Sequence, residues 1–77
     1  MLESPASEKP SMASVMAAND LIFASIENTL ELAASYARSG AEAAWRGDLV
    51  ALEVSLKQLR LCAISAIDGF KMIEGLT

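Results

Sequence analysis

Histidine is absent from the 77-residue chain, and Cys62 is the only cysteine. A single cysteine excludes an intrachain disulfide, and without histidine the usual nitrogen and sulfur ligand sets of structural zinc cannot be assembled. General-base catalysis would depend on carboxylates or lysine. The candidate pairs, Glu27 with Glu31 and Asp20 with Glu27, are equally typical of a solvated helix face. We therefore expect no catalytic residue, no metal site and no cofactor, and the sequence predicts that the protein is not an enzyme.

Basic residues are also few, since six lysines and arginines stand against ten acidic residues and give a net charge of −4. This acidic balance argues against a nucleic-acid partner, because such proteins carry a basic surface. The longest uncharged runs, 11–19 and 61–67, are far shorter than the roughly 18–20 residues of a membrane span. Glu3 and Glu8 are unlike the positively charged start of a secretory signal. We expect a cytoplasmic protein without a transmembrane span, with signal-less export as an open possibility.

Proline is confined to residues 1–10, which are rich in turn formers. We predict a disordered tail over 1–10 and one helical domain over 11–77. Good helix formers dominate the domain, and no alternating β-branched run indicates a strand. Gly47 and Asp48 interrupt the helical pattern, Gly47 as a turn residue and Asp48 as an N-cap. The fold class is therefore all-α, with helix 1 over about 12–44, a turn at 45–48 that includes Trp45, and helix 2 over about 49–74.

Apolar residues recur at alternating spacings of three and four in both halves, as in a coiled coil. When the chain is folded back at the turn, facing residues are complementary in size: Leu56 falls opposite Ala37, and Ala63 falls opposite Leu30. This interdigitation predicts an antiparallel two-helix hairpin. The predicted intramolecular seam consists of Phe23, Ile26, Leu30, Ala33, Ala37, Leu49, Leu52, Leu56, Leu59, Ala63, Ala66 and Phe70.

Apolar residues make up 53% of the chain, more than one hairpin can cover. A second stripe of apolar residues follows helix 2 outside the predicted seam, and three more residues lie beside the seam on helix 1. We expect this surface to form a homodimer, giving a four-helix bundle, or to bind another helical protein. The alternative is that these residues are ordinary scattered apolar side chains. The candidate association surface consists of Val50, Val54, Leu61, Ile64 and Met72 (the second stripe) and of Val15, Ile22 and Tyr36.

Two single residues leave alternatives open. Asn19 falls on the predicted seam near Ile73, where a polar residue can fix the register or the oligomeric state; a frayed helix end is the other interpretation. Cys62 lies beside the seam and either is a buried, inert thiol or cross-links two subunits.

The pattern favours a non-enzymatic protein that acts through protein–protein interaction, as a small adaptor, chaperone or regulatory subunit. The tripeptide Trp45-Arg46-Gly47, in a turn between two helices, resembles the WXG100 (ESAT-6-like) family of exported helical hairpins. That resemblance implies an exported hairpin that pairs into four-helix dimers. The alternative is that Trp45 covers the end of the bundle core and Gly47 makes the turn. A further alternative is an amphipathic coat protein of a hydrophobic granule.

Overall fold

The structure is a computed structural model that describes the backbone of residues 12–76 and the side chains of residues 17–76. Two helices, α1 (Met12–Arg46) and α2 (Leu49–Leu76), pack against each other along their length. The predicted all-α hairpin is thus confirmed, and each helix ends two residues later than the sequence indicated. The predicted tail over 1–10 lies outside the described residues.

The turn between the helices is built by three backbone hydrogen bonds and one side chain. Gly47 has a positive φ of 69°, and its N–H donates to the Ala44 carbonyl at 3.1 Å. The Asp48 N–H donates to the Ala43 carbonyl at 2.9 Å, which completes a Schellman motif at the end of α1. Oδ1 of Asp48 accepts a hydrogen bond from the Ala51 N–H at 3.0 Å and so caps α2. The chain therefore reverses within two residues, and the helices run antiparallel.

The most deeply buried positions between the two helices are occupied mainly by small side chains. Ala43 is fully buried, Ser55 is 7% exposed, and Ala33, Gly40 and Cys62 are buried beside them. Because alanine, glycine and serine project little from the backbone, the helices can approach closely. Apart from the half-buried Ala18 and Ala51, we label the buried and half-buried positions a (Asn19, Ile26, Ala33, Gly40 in α1; Leu52, Leu59, Ala66, Ile73 in α2) and d (Ile22, Thr29, Tyr36, Ala43; Ser55, Cys62, Gly69).

The two buried or half-buried helical glycines mark how close this approach is. A methyl group built at Gly40 would lie 3.4 Å from Cβ of Ser55. At Gly69 the same methyl group would lie 2.8 Å from Cγ1 of Ile26, well inside van der Waals contact. The side chain of Ile26 therefore occupies the space that any larger residue at position 69 would need.

One position per heptad of the predicted seam lies in the contact between α1 and α2, and the other is exposed in the hairpin. Ile26, Ala33, Leu52, Leu59 and Ala66 lie in the helix contact. The remaining members are exposed in the hairpin, because the d positions take their place: Phe23, Leu30, Ala37, Leu49, Leu56, Ala63 and Phe70. The physical reason is that the small d residues of α2 (Ser55, Cys62 and Gly69) permit a closer contact than its bulky residues at the next heptad position (e) would. The contact line lies midway between two positions of each helix. Successive residues are 100° apart around a helix, so replacing the predicted e position by the neighbouring d position turns each helix by about 50° relative to the prediction.

Candidate interaction surface

One face of the hairpin carries a double row of exposed apolar residues. All but Leu49 directly follow a d position, and Leu49 lies one heptad before Leu56, which does. We call this heptad position e. Phe23, Leu56 and Phe70 each keep more than half of their surface exposed. All eight e residues are apolar and exposed, and we call them the open face: Phe23, Leu30, Ala37 and Ala44 in α1, and Leu49, Leu56, Ala63 and Phe70 in α2.

The antiparallel arrangement places both e rows on the same side of the molecule. In an antiparallel pair, the same heptad position of both helices lies on the same side of the contact between them. On the opposite side of the molecule, Ser25 of α1 lines one shallow groove together with Ser65 and Met72 of α2, so equivalent positions of the two helices lie together there as well. These three residues occupy the positions on the other flank of the contact, which we call g. The e rows therefore lie together on the remaining face.

The two faces differ in polarity. The g face includes four exposed polar residues, Ser25, Ser39, Gln58 and Ser65, together with the exposed apolar residues Leu32 and Met72. The open face contains no polar residue at any of its eight positions. An uninterrupted apolar row of this length is typical of a helix pair that packs against further helices.

Charged residues border the open face. On α2, a groove is lined by Leu49, Leu52 and Leu56, with Glu53, Lys57 and Arg60 along its edge. Nζ of Lys57 lies 3.7 Å from Oε1 of Glu53, in a solvent-exposed ion pair. An apolar centre with a charged rim is the usual composition of a protein–protein interface.

The core of the hairpin is small. Among the described side chains, no large one is fully buried, and the buried apolar residues are Ala33, Ala43, Cys62 and Ile73. A two-helix hairpin has a single contact line, so each helix keeps most of its circumference in water. The contact between α1 and α2 therefore covers little of the apolar surface.

The residues of the candidate association surface separate into three groups. The second stripe, Val50, Val54, Leu61, Ile64 and Met72, is exposed throughout. Ile22 and Tyr36 are half-buried d positions, and Cγ2 of Ile22 would lie 3.7 Å from a methyl group at Gly69. Their assignment to an outer surface is therefore corrected, because the rotation of α1 turns both toward α2. The side chain of Val15 lies outside the described residues.

Trp45 projects from the last turn of α1 with 88% of its surface exposed. In the hairpin it does not cover the end of the contact between α1 and α2, and its place at the end of a bundle core stays a prediction. Beside it, the guanidinium of Arg46 lies 3.9 Å from the Glu42 carboxylate. The turn thus presents a large aromatic side chain to its surroundings.

Asn19 and Cys62 both lie in the helix contact. Oδ1 of Asn19 is buried and has no hydrogen-bond partner within the described part of the chain. The Cys62 thiol is buried at a d position against α1. Cross-linking of two subunits through Cys62 would therefore require the hairpin to open.

Within residues 12–76, no group of three or more metal-binding side chains comes together. Neither described helix has the length and apolarity of a membrane-crossing segment. The cytoplasmic location stays a prediction.

Comparisons of the chain with protein-family models, with curated proteins and with solved structures found no match.

Proposed function

We propose that the protein is a non-enzymatic interaction module whose open face binds a second copy of the hairpin, so that the dimer is a four-helix bundle. The observation that carries this proposal is the exposure of all eight apolar residues of the open face in a chain whose own core is small. A second copy would cover both rows at once and supply the missing layer of the core.

The rotation of the helices supports this arrangement quantitatively. In a square bundle, the direction from one helix to the bundle axis differs by about 45° from the direction to its neighbour. The predicted seam lies midway between the a and e positions of each helix. The observed contact between α1 and α2 lies midway between a and d, so the two directions differ by about 50°. The coiled-coil pattern of the sequence therefore points toward the axis of a four-helix bundle, while the a and d residues hold two neighbouring helices together.

The residue sizes across the open face also fit such a bundle. Phe23 of α1 lies level with Phe70 of α2, and Leu30 lies level with Ala63. Nearer the turn the large residue is on α2, where Leu56 lies level with Ala37. Outside the layer of Phe23 and Phe70, where two large residues meet, large residues are paired with small ones, which fills the centre of a bundle without voids or overlap.

Dimerisation through the open face leaves the second stripe at the surface. Val50, Val54, Leu61 and Ile64 lie on the outer side of α2, away from both the hairpin contact and the open face. This exposed apolar surface suits a further helical partner, as expected of a small adaptor, chaperone or regulatory subunit.

The proposal is tested by placing the same charge on the two apolar surfaces. Leu56→Asp puts a carboxylate in the centre of the proposed dimer interface, where it would be buried without a partner. Leu61→Asp puts it on the second stripe, where it stays in water. We expect Leu56→Asp to weaken dimerisation at least 100-fold in sedimentation equilibrium, while Leu61→Asp leaves the dissociation constant within about threefold of the parent.

Leu30→Asp supplies an independent check from the other helix and should behave like Leu56→Asp. If the hairpin depends on the dimer to stay folded, both open-face variants lose helicity along with dimerisation. A monomeric parent protein at micromolar concentration would overturn the proposal. Dissociation by Leu61→Asp but not by Leu56→Asp would also overturn it, and would move the interface to the second stripe. A parent protein that stays monomeric yet adsorbs to hydrophobic particles would favour the granule-coat alternative.

A further inference from the structure

We infer that the second copy docks with its turn at the opposite end from the turn of the first, so that each helix packs on its own counterpart. This inference rests on the proposed dimer and specifies its geometry. Two twofold arrangements can cover the open face. In the turn-aligned one, both turns lie at the same end and α1 packs on α2 of the second copy. In the opposed one, the turns lie at opposite ends and α1 packs on α1.

The two helices of the hairpin stay in contact along the open face. Gly40 lies against Ser55 near the turn, and Gly69 lies against Ile26 toward the other end. Residue numbers at one level of the two helices therefore add up to about 91–95. Because the helices do not splay apart, the side chains decide how far each part of the open face projects.

The side chains give the open face one bulky end. Its e residues form four layers of two, with one residue from each helix. Phe23 and Phe70 form the layer farthest from the turn, and each of the other three layers combines one leucine with one alanine. Phe23 and Phe70 keep 57% and 56% of their surface exposed in the hairpin, so both rings project from it. The open face is therefore highest at the end away from the turn.

The turn-aligned dimer places the two bulky ends together. Four phenylalanine rings would then meet in one layer, while each of the other three layers would hold two leucines and two alanines. Rings that crowd one end hold the two faces apart, which leaves voids in the layers of leucine and alanine. The misfit at one level thus weakens the contact along the rest of the face.

The opposed dimer distributes the large side chains evenly. The open face of α1 runs from Phe23 to Ala44, so inversion sets Phe23 level with Ala44 of the second copy. In α2 the same inversion sets Phe70 level with Leu49. Each end layer then holds two phenylalanines, one leucine and one alanine, and each central layer holds two leucines and two alanines. Every layer thus combines large residues with at least one small one, as a well-packed bundle core requires.

The middle of α1 is also suited to close contact with its own counterpart. The open face is centred at about residues 33–34 of α1, so Ala34 would face Ala34 of the second copy across the twofold axis. Ala37 and Ala41 follow on the same side of α1, and all three alanines are exposed in the hairpin. Because their side chains project little, the two copies of α1 can approach closely.

The charged residues on the borders of the open face do not select an arrangement, because each arrangement brings both like and opposite charges together. In the turn-aligned dimer, Glu31 lies level with Arg60 of the second copy, but Arg38 lies level with Lys57. In the opposed dimer, Glu31 lies level with Arg38 of the second copy, but Arg60 faces its own counterpart. The sizes of the e residues therefore carry the inference.

Cross-linking of engineered cysteines separates the two arrangements. Each chain is full-length, carries Cys62→Ala and has one new cysteine, from Ala34→Cys, from Arg60→Cys or, as a control, from Ser35→Cys. With helices about 8–10 Å apart, the Cα atoms of the two copies of Ala34 lie about 5–7 Å apart in the opposed dimer, within reach of a disulfide. In the turn-aligned dimer they lie about 12–15 Å apart, and Ala34 faces Arg60 instead. Ser35 lies on the outer side of α1, where its two copies are about 12 Å or more apart in both arrangements.

The Ala34→Cys and Arg60→Cys chains are mixed, refolded together and oxidised with glutathione, and the products are identified by mass. The opposed dimer gives disulfides between like chains, whereas the turn-aligned dimer gives disulfides between unlike chains. Mainly unlike products, or a dimer that cross-links at neither site, would overturn this inference and leave the proposed function standing. Equal cross-linking of Ser35→Cys and Ala34→Cys would also count against it. A monomer in solution would overturn both.

Exchanging residue sizes tests the packing argument without cross-linking. Ala44→Phe should weaken dimerisation about tenfold or more in sedimentation equilibrium, because a third phenylalanine enters each end layer of the opposed dimer. Adding Phe23→Ala should restore the affinity to within about threefold of the parent, because the two residues share a layer only between copies. In the turn-aligned dimer they lie at opposite ends, about 30 Å apart, and the effects of the two changes would be additive. Additive effects would therefore contradict the opposed geometry.

Discussion

At Gly69 the hairpin depends on the absence of a side chain. Alanine is the better helix former by about 1 kcal/mol. A methyl group at this position would, however, lie 2.8 Å from Cγ1 of Ile26, which is β-branched and has little rotamer freedom to move away. We expect Gly69→Ala to lower the free energy of unfolding by about 1–3 kcal/mol in urea denaturation, because overpacking outweighs helix propensity.

Gly75→Ala is the matched control for this prediction. Gly75 is also a helical glycine of α2, and a methyl group built there meets nothing within 4 Å. Its replacement should leave stability unchanged or raise it by up to about 1 kcal/mol. If both variants gained stability equally, the close approach of Ile26 to Gly69 would be absent in solution.

At the scale of the helices, much of the hairpin follows from local sequence chemistry. Gly47 adopts the left-handed conformation that glycine tolerates best, and Asp48 caps α2 through its carboxylate. Good helix formers on both sides of this turn extend the helices to Met12 and Leu76. Such features depend on residues close together in sequence, so they could be predicted without knowledge of the packing.

The orientation of each helix about its own axis could be predicted only in part. A spacing of three and four fits two neighbouring seams, one through Leu56 and Ala63 and the other through Ser55 and Cys62. Hydrophobicity favours the first seam, whereas the hairpin contact uses the second. The informative signal was residue size, because Gly40 faces Ser55 in a close contact that bulky side chains would prevent. That choice depends on how many helices pack together, which the spacing of one chain does not specify.

A pair of serine variants distinguishes the two seams. Ser55 is buried between the helices, and Ser65 is exposed on the g face of the same helix. We expect Ser55→Leu to lower the free energy of unfolding by about 1–3 kcal/mol or more, because the larger side chain separates the helices. Ser65→Leu should change it by less than about 0.5 kcal/mol. Both values can be measured by thermal unfolding at one concentration. If Ser55→Leu left the free energy of unfolding unchanged, the contact between the helices would have to run through Leu56 instead of Ser55.

At the scale of the whole molecule, the small core connects folding to association. The buried apolar residues of the hairpin are three small residues and Ile73, while its larger apolar side chains remain in contact with water. Small domains without disulfides or metals usually depend on oligomerisation or on very efficient helix packing. The close contact along Ala43 and Gly40 supplies some of that packing. In the proposed dimer the open face would add to that packing, so we expect hairpin and dimer to unfold together.

Coupled unfolding has a measurable consequence, since mass action stabilises a dimer as its concentration rises. A tenfold increase in concentration is equivalent to about 1.4 kcal/mol. With an unfolding entropy of about 2.1 cal/mol/K per residue for two chains, the melting temperature should rise by about 4 °C for each tenfold increase. Circular dichroism melts from about 2 to 200 μM should therefore span about 8–9 °C. The slope should persist in Leu61→Asp and disappear in any Leu56→Asp hairpin that still melts cooperatively. A melting temperature of the parent that does not depend on concentration would mean that the hairpin folds without its second copy.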